Sequence, residues 1–166
     1  MDVVFDLKRL GRESLPFEDD TFDEIYARDV LDRHPAPTLL MSELYRIAKP
    51  GCQLVLQGEH GASDAAWTNP AVLRPYFPDS FQCFGQPFYW RLDEGYDADW
   101  QVTFILLKVN AERYKDVSHA ERMRSVQEKR NVVEDMTAVL VAMKPPRPRD
   151  RKLLTDAHVE ILLDEN

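Results

Sequence analysis

Long apolar runs are missing from this 166-residue chain. No segment reads as a membrane-spanning helix, and the opening "MDVVFDLKRL" alternates acidic and apolar residues, which is not the pattern of a secretory leader. A cytoplasmic protein without membrane contact is expected. Cysteine is scarce: Cys52 and Cys83 belong to no Cys-x-x-Cys pair and to no zinc spacing with histidine, which excludes a disulfide framework. Both are expected to be buried thiols. Basic charge is in deficit, with Lys+Arg 21 against Asp+Glu 29 and a net charge of -8. That deficit disfavours a broad phosphate footprint, so nucleic acid is not expected as a partner. Walker, EF-hand and Gly-x-Ser-x-Gly patterns are absent, as are heptads and internal repeats. His34, His60, His119 and His158 are scattered without ligand spacing, so they read as solvated surface residues and no metal site is assigned. The acids Glu18, Asp19, Asp20, Asp23 and Glu24 read as a solvated turn.

What is present suits one soluble globular domain: hydrophobic residues make up 44% and charged residues 30%. "DVVFDL" reads as a first strand and "DEIYARDV" as a second, with Ile25, Tyr26 and Ala27 at its centre. In "TLLMSELYRIAKPG", Leu40, Leu44, Ile47 and Ala48 fall on one helical face, and Pro50-Gly51 ends the helix. "CQLVLQG" follows as a strand, so strand, helix and strand form a parallel crossover. Pro70, Pro75 and Pro78 break the next stretch into a loop-rich excursion. "FYWRLDEGYDADWQVTFILLKV" reads as a hairpin whose second arm is long enough to be central. Ser118 and Glu121 form a capping box for a charged helix with Met123 and Val126 as anchors. "EDMTAVLVAM" reads as a strand. The chain divides into an α/β domain over 1–143 and, over 144–166, a basic proline-rich linker followed by a helical tail capped by Thr155. Lys144, Arg147, Arg149, Arg151 and Lys152 are expected to be solvated in that linker.

The stretch "DL…LPFEDDTFDEIYARDVLDRHPAPTLLMSELYRIAKPGCQLVL" resembles class I S-adenosylmethionine-dependent methyltransferases, over about the first sixty residues. The resemblance implies a reduced Rossmann-like sheet, mostly parallel, with an antiparallel C-terminal edge. It also implies S-adenosylmethionine as the cofactor, with Asp6, Leu7 and Asp29 on the cofactor side and Asp6 accepting the adenine amino group. Trp67, Asn69, Arg74 and Tyr76 fall in a segment that covers the substrate side in some relatives. The family's Glu-His after Val-Leu is here Asp32-Arg33, and Cys52 stands at its second glycine. The glycine loop that precedes the residue matching Asp6 in the family has no counterpart ahead of it here. Asp6 alone would then anchor the cofactor, and one hydrogen bond supplies only about 0.5–1.5 kcal/mol where micromolar binding needs roughly 8. Weak or absent cofactor binding and no catalytic residue follow, with a binding or assembly module as the expected role. Its partner, a second copy or another protein, would join an open sheet edge. The alternative is an active methyltransferase, either completed by a second chain or binding its cofactor in a way the family pattern does not predict.

Overall fold

The computed structural model describes residues 14–89 and 95–164. The strand expected in "DVVFDL", with Asp6 and Leu7, lies outside the described residues. Strand β1 (Phe22–Arg28), helix α1 (Pro37–Ile47) and strand β2 (Ala48–Glu59) follow one another, and β1 and β2 pair in parallel. Leu40, Met41, Leu44 and Ile47 make the buried face of α1. The helix ends at Ile47, ahead of Pro50-Gly51, which instead sit inside β2 where the β1 register shifts between Phe22 and Glu24. Gly51 takes φ +80, a conformation that suits glycine.

The excursion after β2 holds helix α2 (Ala65–Thr68), a 3-10 turn over Pro78–Phe84 and helix α3 (Gln86–Tyr89). Strand β3 (Trp100–Asn110) runs into helix α4 (Ala111–Tyr114), then helix α5 (His119–Glu128), strand β4 (Val133–Ala142) and strand β5 (His158–Asp164). Ser118 caps α5 by accepting the Glu121 amide at 3.2 Å. The sheet is five-stranded in the order β1-β2-β4-β3-β5. Two of its pairings are antiparallel, β2 with β4 and β3 with β4, so the expected mostly parallel sheet is half parallel. The antiparallel strand is interior, and the C-terminal edge is β5, parallel to β3.

Three further expectations are corrected. Of the expected first hairpin arm, Phe88 and Tyr89 are helical and residues 90–94 lie outside the described residues, while β3 pairs with β4 and β5. The tail is a strand, since Val159, Ile161 and Leu163 pack against the core while His158 and Glu160 are exposed, a period of two. The linker is not wholly solvated. Asp99, fully buried, accepts hydrogen bonds from the Gln86 amide (2.9 Å) and from the Arg147 amide, Nε and Nη2 (each 2.8 Å). Arg149 Nε donates to Gln86 Oε1 at 3.1 Å, so the "RPR" segment is held against the domain.

The core lies on one side of the sheet. Trp100, fully buried, donates its Nε1 to the Met41 carbonyl at 3.0 Å and meets the Tyr45 ring edge-on at 5.7 Å. Truncating a core leucine such as Leu40 or Leu44 to alanine would cost about 2–5 kcal/mol. Among the described residues, no helix packs on the opposite face as α1 does on the core side. One row of paired residues, Tyr26, Val55, Val139, Phe104 and His158, crosses every strand of it, half-buried or exposed throughout. Tyr26 is 71% exposed. Among the described residues, the outer edge of β1 has no strand partner.

Candidate functional site

A cleft opens at the carboxyl ends of β1 and β2, the end of the parallel strands where α/β sheets hold their ligands. Ala27, Leu31, Leu56, Phe81 and Met136 form its apolar walls, and Asp32, Glu59 and Tyr76 its polar ones. The chain reaches the cleft through Asp29, in the left-handed conformation (φ 52), whose amide donates to the Gln57 carbonyl at 2.9 Å. This turn swings the 3-10 segment Leu31–Arg33 over the strand ends. The excursion then folds back onto it: the Leu73 and Arg74 amides both donate to the Asp32 carbonyl, at 2.8 and 3.0 Å. Gly61 donates to the Tyr76 carbonyl at 2.7 Å, fixing Tyr76 beside the end of β2.

Charge here is unevenly matched. Arg33 reaches toward Asp29 (Nη2 to Oδ2, 3.6 Å) and Asp32 (Nε to Oδ2, 3.7 Å), beyond hydrogen-bond length in both cases. Asp32 Oδ2, Glu59 Oε2, Tyr76 OH and Arg33 Nε are buried without a hydrogen-bond partner. Burial pushes the Asp32 carboxyl above the usual carboxylate range, against the pull of Arg33, and burial likewise raises Glu59. The Tyr76 phenol is pushed up to about 12 by the same cause.

Of the residues the sequence assigned to the substrate side, only Tyr76 lines this cleft. Trp67 is exposed on α2 and donates its Nε1 to the Gly61 carbonyl at 2.9 Å. Asn69 accepts the Ala71 amide at 3.0 Å in a local turn, and Arg74 is exposed. Asp29 stands at the rim, half-buried. Asp32 and Glu59 were not assigned to the site. The one signal for them was the departure to Asp32-Arg33 from the family's Glu-His.

Two histidines differ from expectation. His34 and His60 are buried, each accepting a nearby amide at Nδ1, from Ala36 at 3.1 Å and Ala62 at 3.2 Å. Burial lowers the His60 pKa. The acidic turn is exposed, with its charges paired: Asp19 to Arg46, Asp20 to Lys144 and Asp23 to Lys49. Cys52 is buried as expected and Cys83 is half-buried. Among the described residues no group of His, Cys, Asp and Glu is arranged to hold a metal, and no helix is long and apolar enough to cross a membrane.

Residues 4–56 match the model of a family described as a methyltransferase domain. The fold is similar to a SAM-dependent methyltransferase from Archaeoglobus fulgidus, with a TM-score of 0.51, 14% identity, and coverage of 75% of this chain and 61% of that one. It is also similar to a chain from the Haloferax volcanii complex between the Trm112 methyltransferase activator and a methyltransferase (TM-score 0.48, 15% identity, 81% and 59% covered). The YcgJ protein of Bacillus subtilis is a third (TM-score 0.48, 14% identity, 79% and 68% covered). The chain spans about three fifths of the length of the first two. No curated protein matches. The architecture is thus the Rossmann-like α/β fold of methyltransferases. The match to the methyltransferase-domain family lies in residues 4–56, and over the rest of the chain the likeness is one of fold.

The interior of the cleft has room of about 20 Å³, the scale of one water molecule, whereas pockets for drug-sized ligands run to roughly 300–1,000 Å³.

Proposed function

We propose that this chain is a methyltransferase-family protein that acts, taken alone, as a non-catalytic binding or assembly module. The observation that carries the proposal is the sheet face opposite α1 with its cross-strand row from Tyr26 to His158. All-parallel sheets are normally covered on both faces, and the parallel pairs at the two ends of this sheet, β1 with β2 and β3 with β5, are where such cover is expected. A second copy or another protein chain would supply the cover and a strand for the free side of β1, removing an edge that otherwise invites uncontrolled pairing. Two unpaired cysteines, Cys52 and Cys83, accord with a reducing compartment such as the cytoplasm.

The test is light scattering of the purified chain across a concentration series, with Tyr26→Glu as the variant, alongside calorimetric titration with S-adenosylmethionine and S-adenosylhomocysteine. Association that Tyr26→Glu abolishes, with no cofactor heat, is the expected outcome. Micromolar cofactor binding lost in Asp6→Ala would overturn it in favour of an active methyltransferase. That second reading has its own support in the position of the cleft, at the strand ends beside the left-handed Asp29.

A further inference from the structure

The sheet has a second outer edge, strand β5, and among the described residues no strand lies outside it. The 7 residues of β5 pair with β3 one for one, from Phe104 with His158 to Asn110 with Asp164, without a bulge. The strand contains no proline, glycine or lysine, the features that usually keep an edge from pairing. Val159, Ile161 and Leu163 pack against the core yet stay half-buried, and Leu162 on the other face is 43% exposed. A regular, apolar outer strand offers its backbone donors and acceptors to one more strand.

The order of charges along β5 selects the occupant. A twofold axis normal to the sheet sets two copies of β5 antiparallel, with both core faces on the same side. Centred on Glu160, such a pair would set the two Glu160 carboxylates against each other. Centred on Leu162, it would set Glu160 against Asp164 on both sides of the axis. Like charges directly opposite destabilise a strand pair, so both registers are penalised. Centred on Ile161, the pair opposes no like charges: His158 faces Asp164, Val159 faces Leu163, and Glu160 faces Leu162. The half-buried row of Val159, Ile161 and Leu163 then continues into the same row of the second copy. Both polar partners are already held on the sheet, His158 by stacking on Phe104 at 5.7 Å and Asp164 by Lys108 Nζ at 3.6 Å.

We propose that two copies of this chain pair through β5, antiparallel and centred on Ile161, so that the sheet continues across a twofold axis. A single strand pair is a small contact of the kind found in weak, transient complexes, so it is read by covalent trapping. Glu160→Cys and Leu162→Cys, both at exposed positions and each in a Cys83→Ser background, are oxidised separately and as a mixture, and the covalent dimers are weighed by mass spectrometry. Thermal unfolding establishes that each variant is folded. The proposed register sets position 160 of one copy beside position 162 of the other, within disulfide reach. Mixed dimers are therefore expected in about tenfold excess over either homodimer. His158→Glu, which sets a carboxylate opposite Asp164, should reduce the yield of mixed dimers severalfold. Tyr26→Glu should leave that yield unchanged, since Tyr26 lies on the opposite edge strand. Scattering of Tyr26→Glu thus reads the sheet face and the disulfide pattern reads β5, so either reading can fail alone. Predominant homodimers of one variant would mean another register, statistical yields chance collision, and no covalent dimer an edge that a second copy does not use. Each of these results would overturn the proposal.

Discussion

Replacing Asp99 with alanine is the sharpest test of how this chain closes on itself. The carboxylate has no exposed surface and accepts four hydrogen bonds at 2.8–2.9 Å, three from Arg147 and one from the Gln86 amide. Arg147 Nη1 also reaches Gln101 Oε1 at 3.2 Å, a contact too weak to satisfy the guanidinium alone. The substitution leaves a mostly buried cation and a buried amide without acceptors. Removing one partner of a buried pair costs about 3–5 kcal/mol, a large part of the roughly 5–15 kcal/mol that holds a domain together. At roughly 2–4 °C per kcal/mol for a domain of this size, Tm should fall by about 6–20 °C. Urea unfolding should show a lower midpoint with an unchanged slope, since the surface exposed on unfolding stays the same. The double variant Asp99→Ala/Arg147→Met, which removes the orphaned charge, should recover part of the loss. A fall below about 2 °C in the single variant would refute the reasoning, because it would mean that Arg147 leaves the hub at little cost.

The other perturbations are simpler. Tyr45 donates its hydroxyl to the Met143 carbonyl at 2.6 Å, so Tyr45→Phe should cost about 1 kcal/mol by urea unfolding. Tyr45 and Tyr76 both have phenols pushed up to about 12, chiefly by burial, above an unfolded value near 10. The folded state therefore keeps protons that the unfolded state releases, and stability should fall between about pH 10 and 12, less steeply in Tyr76→Phe. The Cys52 thiol, pushed up to about 11 by burial, should react with iodoacetamide at pH 8 about 100-fold more slowly than an unperturbed thiol of pKa 9. At Gly85 an added Cβ would stand 3.0 Å from the Trp100 carbonyl oxygen, so Gly85→Ala should cost about 1–3 kcal/mol in thermal unfolding.

Elements governed by their own periodicity were legible in the sequence. The helical face from Leu40 to Ile47, the alternation in β3 and the Ser118 cap each express a local rule, and each stands where that rule put it. The tail misled because Thr155 looked like a helix cap, while the alternation of Val159, Ile161 and Leu163 was the stronger signal. Thr155 accepts from Gln101 Nε2 at 3.0 Å instead, holding the chain just ahead of β5. Phe88 and Tyr89 misled for a tertiary reason: the helix they belong to starts at Gln86, whose amide is held by Asp99 and whose side chain donates to the Tyr96 and Ala98 carbonyls, a lock that no local propensity encodes.

The cleft shows the same limit at the level of function. Asp32, Glu59 and Tyr76 come from three segments that only long-range backbone bonds bring together: the Leu73 and Arg74 amides on the Asp32 carbonyl, and the Gly61 amide on the Tyr76 carbonyl. In the sequence each is an ordinary residue beside other ordinary residues, and composition assigns acids to the surface. Their unpartnered oxygens become visible only once burial is known, because an acid in water is always satisfied and a buried one is not. The linker arginines make the converse case. Five basic residues near three prolines read as a solvated, proline-stiffened linker, yet Arg147 and Arg149 are consumed by Asp99 and Gln86. Charge in a sequence therefore says little about where charge is free, and the unpartnered polar atoms of Asp32, Arg33, Glu59 and Tyr76 gather at the strand ends.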